Sequence, residues 1–191
     1  MRLVMASANP DKVAEMAQLL SEFEIVARPP DLGDVLEDGD TLEDNARLKA
    51  VAVCGAAGEP AVSDDTGLEV DALGGAPGVL SARYAGVDAG YGENVDRLLG
   101  EMETVGFADR TARFRSVVMV LWPDGREIVA EGAVEGHISQ QRRGSGGFGY
   151  DCVFVPDDGD GRTFAEMSND EKHAISHRGR ALRNLVRVLT R

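Results

Sequence analysis

The sequence predicts a single globular chain of mixed strand and helix content, because short strand patterns alternate with helical patterns along it. Residues 3–6 form a short apolar run typical of a buried strand, and the apolar side chains after it repeat with helical periodicity. Two longer strand patterns, 112–121 and 127–134, are joined at Asp124-Gly125, a dipeptide typical of hairpin turns. The 191 residues, of which 43% are hydrophobic, suffice for one domain over residues 1–191 with a sizeable core and room for two lobes.

The charge of the chain argues against general nucleic-acid binding. Its formal net charge is −13, whereas nucleic-acid binders gain much of their affinity from basic patches that meet phosphates. A small anionic ligand remains compatible, because a few local cations can bind it. Lysine occurs only at Lys12, Lys49 and Lys172, so these positions are candidates for that purpose.

The sequence favours a cytoplasmic protein. The cysteines, Cys54 and Cys152, belong to no CxxC pair and no zinc pattern, so we expect free thiols in a reducing cytosol. The N-terminus lacks the basic flank and apolar core of a signal peptide. The longest apolar run, residues 117–122, is far too short to span a bilayer, so no membrane partner is expected.

The first strand leads into a helix start that suits an anion. Asn9 can cap the helix with Pro10 at its first position, and backbone N–H groups at a helix start bind phosphates. Lys12 would lie in the first turn, where the helix dipole favours anions. A phosphate beside Lys12 explains that placement, and a solvated lysine is the equally weighted alternative.

Residues 42–57 are expected to form a helix, with Leu48, Ala52 and Val51 facing inward. Lys49 shares this helix with Asn45, one turn before it. The segment before the helix is acidic and irregular, with Glu37 in its middle. A further helix is expected over residues 93–102.

The adjacent carboxylates of Asp64 and Asp65 are the centre of the sequence pattern. The apolar pair before them and the alternation after Gly67 indicate strands, so we expect both on a tight connection at a strand end. There, one carboxylate could face a cleft while the other braces the loop. Paired carboxylates suit Mg²⁺, which takes one or two of them plus water and substrate oxygens. The alternative is an Asp-rich surface turn.

A glycine-rich segment, 144–151, matches the spacing of the dinucleotide-binding fingerprint at Gly144, Gly146 and Gly149. That fingerprint requires a strand before it and a helix after it, whereas a strand pattern follows here, so a dinucleotide site is rejected. The glycines can let the loop backbone approach a flat ligand, or they can form a flexible hairpin end. The rings of Phe148 and Tyr84 could contact that ligand or pack in the core.

The C-terminal part combines two helix starts. A capping-box pattern at 168–171 predicts a short helix that carries Lys172. Ser176 can cap the last helix, which places His177 and Arg178 at its N-terminus. An ordinary role at the helix start would also explain His177, and a Ser-His-Asp hydrolase is disfavoured because no nucleophile elbow is present. Taken together, the carboxylates, the lysines and the glycine-rich loop predict a pocket for a polyphosphate, a divalent cation and a planar group.

The chain resembles the inosine triphosphate pyrophosphatase family, also called Ham1-like. The resemblance runs in order over essentially the whole chain. The motifs that carry it are Ser7-Ala8-Asn9-Pro10-Asp11-Lys12, Glu43-Asp44-Asn45-Ala46-Arg47-Leu48-Lys49-Ala50, Ser63-Asp64-Asp65-Thr66-Gly67-Leu68, Gly74-Gly75-Ala76-Pro77-Gly78-Val79-Leu80-Ser81-Ala82-Arg83-Tyr84, Gly146-Gly147-Phe148-Gly149-Tyr150-Asp151 and Glu171-Lys172-His173-Ala174-Ile175-Ser176-His177-Arg178-Gly179.

The resemblance implies hydrolysis of ITP, dITP and XTP to the monophosphate and pyrophosphate with Mg²⁺, which keeps these purines out of DNA and RNA. It implies an elongated α/β fold whose central mixed sheet, flanked by helices, splits into two lobes around one cleft. It also implies a homodimer.

The family's site residues carry over to matching positions. Glu37 and Asp65 would bind Mg²⁺, Asp65 would be the general base, and Thr66 would contact substrate. The phosphates would be held by Ser7, Ala8, Asn9, Pro10, Asp11, Lys12 and Lys49. The nucleotide, largely around its base, would be bound by Phe148, Gly149, Tyr150, Asp151, Lys172, His177 and Arg178.

Three residues depart from the family pattern without removing a charged group. Ser7 stands where Thr is frequent, Leu42 stands for a usual Phe, and Cys152 stands for a usual Pro, which leaves the loop that carries Phe148 less constrained. Two other functions are compatible with a nucleotide pocket. A Maf-like pyrophosphatase of other nucleotides would carry an Arg pair in its N-terminal loop, which is absent here. A non-catalytic nucleotide sensor could dispense with Glu37 and Asp65.

Overall fold

The computed structural model describes all 191 residues and contains five α-helices and seven β-strands. None of the helices combines the length and the hydrophobicity needed to cross a lipid bilayer. The helices are α1 (Pro10–Leu19), α2 (Leu42–Ala57), α3 (Tyr91–Glu101), α4 (Asn169–Ile175) and α5 (His177–Leu189). The strands are β1 (Arg2–Met5), β2 (Glu24–Val26), β3 (Ala61–Val70), β4 (Pro77–Gly78), β5 (Thr111–Leu121), β6 (Glu127–Ile138) and β7 (Phe154–Pro156).

The strands form one mixed sheet in the order β2-β1-β3-β5-β6-β7, and β4 pairs with β3. β1 runs parallel to β2 and to β3, whereas β4 is antiparallel to β3 and β7 is antiparallel to β6. Parallel neighbours need crossover connections, and α1 and α2 supply them between β1, β2 and β3. The predicted α/β fold with a central mixed sheet flanked by helices is therefore confirmed.

The predicted hairpin is also present, as β5 and β6. Its turn closes through the N–H of Trp122, which donates to the carbonyl of Arg126 at 2.9 Å. Gly125 has a φ of +85°, a backbone conformation that favours glycine. The hairpin signal therefore located the turn correctly, and β6 extends beyond the predicted end to Ile138.

The chain divides into two compact units. Unit 1 comprises residues 1–65, 116–132 and 178–191, and unit 2 comprises residues 66–115 and 133–177. Each unit has its own hydrophobic core.

The core of unit 1 is aliphatic. Residues 117–120 are buried at every position, as in a strand that is covered on both faces. Val118 and Val120 belong to the main cluster, whose other members include residues of β1, α1 and its C-cap, β3 and α5: Leu3, Met5, Met16, Leu20, Val62, Leu182 and Leu185. A smaller cluster joins Val53 and Cys54 of α2 to Val4, Ala6 and Ala61.

The core of unit 2 is centred on aromatic rings. The ring centroids of Phe114 and Phe154 are 4.7 Å apart, and those of Phe154 and Phe164 are 5.3 Å apart. Tyr84 is 7% exposed and packs in the same cluster, so it is a core aromatic. Ring pairs at these separations pack favourably beyond their burial alone.

The structure corrects the predicted orientation of α2. Leu48 and Val51 are 37% and 55% exposed, and Ala52 is only partly buried. The inward face is small or polar because it meets the carboxylate of Asp65, and apolar periodicity cannot reveal such a face. The residues buried in the middle of the helix are Asn45, Ala46, Lys49, Ala50 and Val53.

The structure also corrects the surroundings of Asp64 and Asp65. Both lie within β3, not on a connection at a strand end, and they are 0% and 6% exposed. The polar composition of residues 63–67 resembles a turn, but β1 pairs with the start of this strand and burial holds the rest extended. A surface turn is therefore excluded.

Candidate active site

The helix start after β1 is built as the sequence predicted. The Asn9 Oδ1 atom accepts hydrogen bonds from the backbone N–H groups of Asp11 at 2.9 Å and Lys12 at 3.3 Å, and Pro10 opens α1. The Oγ atom of Ser7 accepts from the N–H of Asn9 at 3.2 Å. These bonds hold residues 7–12 in a compact turn, in which Ser7 is buried and Ala8 is exposed.

Lys12 is not a solvated lysine. Its side chain is 16% exposed, and its Nζ lies 3.2 Å from Asp64 Oδ2 and 3.9 Å from Asp65 Oδ1. A cation in the first turn of a helix is disfavoured by the helix dipole, and these two carboxylates offset that penalty. Lys12 is thereby held beside the N-terminal turn of α1.

Asp64 is the buried anchor of this region. Its Oδ2 accepts hydrogen bonds from Nε and Nη2 of Arg178, both at 3.3 Å, and Arg178 also pairs with Glu15 of α1. Burial alone would raise the pKa of Asp64, but the charges of Lys12, Arg178 and Lys49 outweigh it and hold that pKa below its ordinary value. Asp64 is therefore ionised at neutral pH and holds two cations.

Asp65 and Glu37 converge on one ammonium group. The Nζ of Lys49 donates to Asp65 Oδ1 at 3.0 Å and to Glu37 Oε2 at 2.9 Å. The amide of Asn45 donates to Asp65 Oδ2 at 3.4 Å. Burial would lower the pKa of Lys49, but the charges of Asp65, Asp64 and Glu37 outweigh it and raise that pKa. We call Glu37, Asp64 and Asp65, with Lys12, Lys49 and Arg178, the carboxylate cluster.

The carboxylate cluster fits the donor chemistry of Mg²⁺. Glu37 and Asp65 offer hard oxygen ligands and already approach a common cation, the ammonium of Lys49. No group of three or more His, Cys, Asp or Glu side chains is arranged to hold a metal. Mg²⁺ is usually bound by one or two carboxylates, with water and phosphate oxygens completing its shell, so two carboxylates are sufficient.

A second group of polar and aromatic side chains lies in unit 2. The Asp151 Oδ2 atom accepts hydrogen bonds from Lys172 Nζ at 2.6 Å and from the backbone N–H of Phe148 at 2.9 Å. Lys172 Nζ lies 4.8 Å from the centroid of the Phe148 ring. Lys172 and Asp151 are each 3% exposed, so this ion pair is shielded from water. We call Phe148, Asp151 and Lys172 the Phe148 cluster.

Local sequence explains how the Phe148 cluster forms. The predicted capping box is present: Ser168 and Glu171 cap α4, which carries Lys172. Gly147 has a φ of +63°, and a Cβ there would collide with the carboxylate of Asp151. Residues 149–152 form a short 3-10 turn that leads into β7. Since no helix follows the glycines, the dinucleotide fingerprint is absent from the structure as well.

The remaining predicted residues of unit 2 have different surroundings. The Tyr150 hydroxyl donates to the carbonyl of Ser81 at 2.9 Å, and burial raises the pKa of that phenol. The His177 ring stacks on Phe114 with centroids 4.5 Å apart. Thr66 follows Asp65 on β3 and is partly exposed.

Three contacts differ from what the sequence predicts or go beyond it. The resemblance places Arg178 with the residues around the base, but its guanidinium contacts Asp64 and Glu15 within unit 1. Glu15 gave no signal, because a carboxylate on an exposed helix face is common. Asn45 did give one, since it lies one helical turn before Lys49 and must share its face.

Comparisons with known proteins agree with these observations. The model of the Ham1 family matches residues 3–188. A dITP/XTP pyrophosphatase from Symbiobacterium thermophilum is 49% identical over 183 residues, which are 95% of this chain and 91% of that protein. One from Desulforamulus reducens is 46% identical and covers 100% of this chain and 96% of its own. The structure of a HAM1 protein from Coxiella burnetii superposes with a TM-score of 0.90 at 39% identity, covering 100% of this chain and 98% of that one. The chain therefore belongs to the Ham1 family.

Proposed function

We propose that this chain is a nucleoside triphosphate pyrophosphohydrolase that converts ITP, dITP and XTP to the monophosphate and pyrophosphate. The observation that carries the proposal is the carboxylate cluster, in which buried carboxylates and lysines meet beside the first turn of α1. Water attacks a triphosphate slowly because the anion repels the nucleophile. A site of this composition counters that repulsion and can also accept the proton of the water.

The cations of unit 1 would act on the phosphates. Lys12 and Lys49 place positive charges in the carboxylate cluster. Residues 7–12 add the Ser7 hydroxyl and the backbone N–H groups at the start of α1, within the same unit. Fixed charges placed where negative charge develops are usually the largest contribution to such catalysis. Because Arg178 contacts Asp64 and Glu15, we propose that it also acts at the phosphates and orients the carboxylate cluster.

Glu37 and Asp65 would hold Mg²⁺, as the donor set of the carboxylate cluster allows. When bound, Mg²⁺ would neutralise charge on the phosphate oxygens. We propose that Asp65 takes the proton of the attacking water. General-base catalysis of this kind typically contributes ~10²–10⁴-fold in rate.

The Phe148 cluster would recognise the purine, with Gly149, Tyr150, His177 and Thr66 as further contacts. Inosine and xanthosine carry an oxygen at C6 where adenosine carries an amino group. Donor groups facing C6 can donate hydrogen bonds to this oxygen but leave an amino group there unpaired, which costs about 1–3 kcal/mol. One such clash gives roughly tenfold to a hundredfold rejection of adenine nucleotides.

Other properties are proposed from the resemblance. We propose that the chain acts as one domain over residues 1–191, forms a homodimer and works in the cytoplasm without nucleic-acid or membrane partners. Its two cysteines are free thiols, which is the usual state in a reducing compartment. Light scattering of the purified protein would report the dimer directly as twice the mass of one chain.

The deciding experiment is product analysis with dITP and Mg²⁺, with ATP and dUTP in parallel and the Asp65→Asn variant as control. Pyrophosphate from dITP, with little product from the other nucleotides, would support both the bond cleaved and the base preference. Orthophosphate alone would overturn the choice of bond. Tight binding of dITP without turnover would indicate a sensor, and preferred turnover of dUTP or ATP would indicate a Maf-like specificity.

A further inference from the structure

Two side chains outside the proposed site connect the N-terminus of α3 to the loop that carries Phe148. The rings of Tyr91 and Phe148 lie with their centroids 5.8 Å apart and their planes inclined by 36°. The Nη2 of Arg142 donates to the carbonyl of Gly92 at 2.6 Å, and its Nη1 lies 3.0 Å from Asp96 Oδ1. We propose that Tyr91 and Arg142 are positioning residues that hold the Phe148 ring for purine stacking. This inference rests on the proposed function and assigns two further residues to the same site.

The loop needs such support because its own sequence supplies little. Gly144, Gly146, Gly147 and Gly149 surround Phe148, and glycine loses more conformational freedom on ordering than any other residue. Backbone contacts hold part of the loop: the N–H of Gly146 donates to the carbonyl of Ala165 at 2.9 Å, and a Cβ at Gly144 would meet the Ala165 backbone at 2.4 Å. The glycines offer no side chain to the Phe148 ring, so ring contacts have to come from other elements.

Phe148 is held from two different elements of unit 2. Lys172 of α4 places its ammonium 4.8 Å from the ring centroid, and Tyr91, the first residue of α3, packs a second ring against it. Tyr91 is itself 42% exposed, so its ring is not required to fill the core. A large aromatic residue at this exposed helix start is explained by its contact with Phe148.

Arg142 ties the start of the glycine-rich segment to α3 through its contacts with Gly92 and Asp96. The backbone N–H of the next residue, Arg143, donates to the carbonyl of Cys152 at 2.8 Å, which joins the two ends of the segment. The contacts of Arg142 with α3 therefore fix the base of the loop that carries Phe148.

The test compares Tyr91→Ala and Arg142→Ala with two controls, in titration calorimetry and in steady-state kinetics. Tyr91→Phe keeps the ring. Phe107→Ala removes another exposed aromatic residue of unit 2, which packs on His137 and not on the loop. The probes are IMP, which carries the base, and pyrophosphate with Mg²⁺, which does not.

We expect Tyr91→Ala to weaken IMP binding and raise the KM for dITP about two- to tenfold, the range measured for aromatic pairs. Arg142→Ala removes a solvent-exposed ion pair, so it should weaken IMP binding and raise the KM for dITP about two- to fivefold. Pyrophosphate binding and kcat should stay near wild type, and both controls should behave as wild type.

Three results would overturn the inference while leaving the proposed function intact. These are unchanged IMP binding in Tyr91→Ala and Arg142→Ala, an equal loss of pyrophosphate binding, or an equal loss in Phe107→Ala. Failure of the wild-type protein to release pyrophosphate from dITP would instead overturn the proposed function. Binding of IMP can still be compared among the variants in that case, so the two failures are distinguishable.

Discussion

Replacing Asp64 and Asp65 by asparagine, one at a time, separates two roles at adjacent positions of one strand. Both changes are isosteric and remove one negative charge. Asp64 is fully buried and holds Lys12 and Arg178, whereas Asp65 is 6% exposed and meets Lys49. We therefore expect Asp64→Asn to reduce stability and Asp65→Asn to reduce turnover.

The loss of stability in each variant depends on how well the buried cations remain paired with other carboxylates. Breaking a buried ion pair by removing one partner costs about 3–5 kcal/mol. In Asp64→Asn, Arg178 retains Glu15 and Lys12 retains Asp65 at 3.9 Å, so we expect the lower end, about 3 kcal/mol. For a chain of this size that corresponds to a fall of about 6–12 °C in Tm.

Asp65→Asn should cost less stability than Asp64→Asn, because Asp65 makes one close ion pair, with Lys49, whereas Asp64 holds both Lys12 and Arg178. Lys49 retains its ion pair with Glu37, and the new amide oxygen can still accept a hydrogen bond from the Lys49 ammonium group. Turnover, in contrast, should fall by ~10²–10⁴-fold, because an amide cannot accept the proton of the attacking water.

Differential scanning calorimetry and pyrophosphate release from dITP, measured on the same preparations, test both expectations. Asp64→Asn should show the larger fall in Tm and Asp65→Asn the larger fall in kcat. A near-normal kcat in Asp65→Asn would refute its role as the base. An unchanged Tm in Asp64→Asn would show that Lys12 and Arg178 do not depend on that carboxylate.

Three further predictions address other parts of the chain. Arg178→Ala should lower Tm and overall rate but leave the ratio of dITP to ATP turnover unchanged, because its guanidinium contacts Asp64 and Glu15; a narrowed ratio would instead assign it to the base. Gly147→Ala should raise the KM for dITP, since its φ of +63° and the adjacent Asp151 carboxylate exclude a Cβ, at a backbone cost of about 1–2 kcal/mol. Gly55→Ala, where a Cβ meets nothing within 4 Å, is the matched control and should keep the wild-type KM. Burial and a hydrogen bond to Glu101 raise the pKa of Tyr84 to about 12, above the ordinary value of about 10. The wild-type protein should therefore lose stability as the pH rises from about 10 to about 12, and Tyr84→Phe should lose less over that range, since only the buried phenol of Tyr150, whose pKa is also raised, remains to contribute; parallel Tm curves for the two proteins would contradict the raised pKa.

The sequence alone determined the local features of the molecule, because they depend on residues a few positions apart. The cap at Asn9, the hairpin turn at Gly125 and the capping box before Lys172 all appear where their patterns lie. The motifs, taken in order, also led to the family and hence to the mixed sheet.

Only the tertiary structure decided which charged groups meet. Arg178 pairs with Asp64 across 114 positions of sequence, and no local pattern encodes so distant a partner. The same holds for α2, whose inward face is polar because of Asp65, and for Asp64 and Asp65 themselves, whose turn-like surroundings are held as a strand by β1 and by burial. These arrangements are stabilised by charges and packing from segments that are distant in sequence. Local sequence patterns therefore cannot predict them, and only the folded structure shows them.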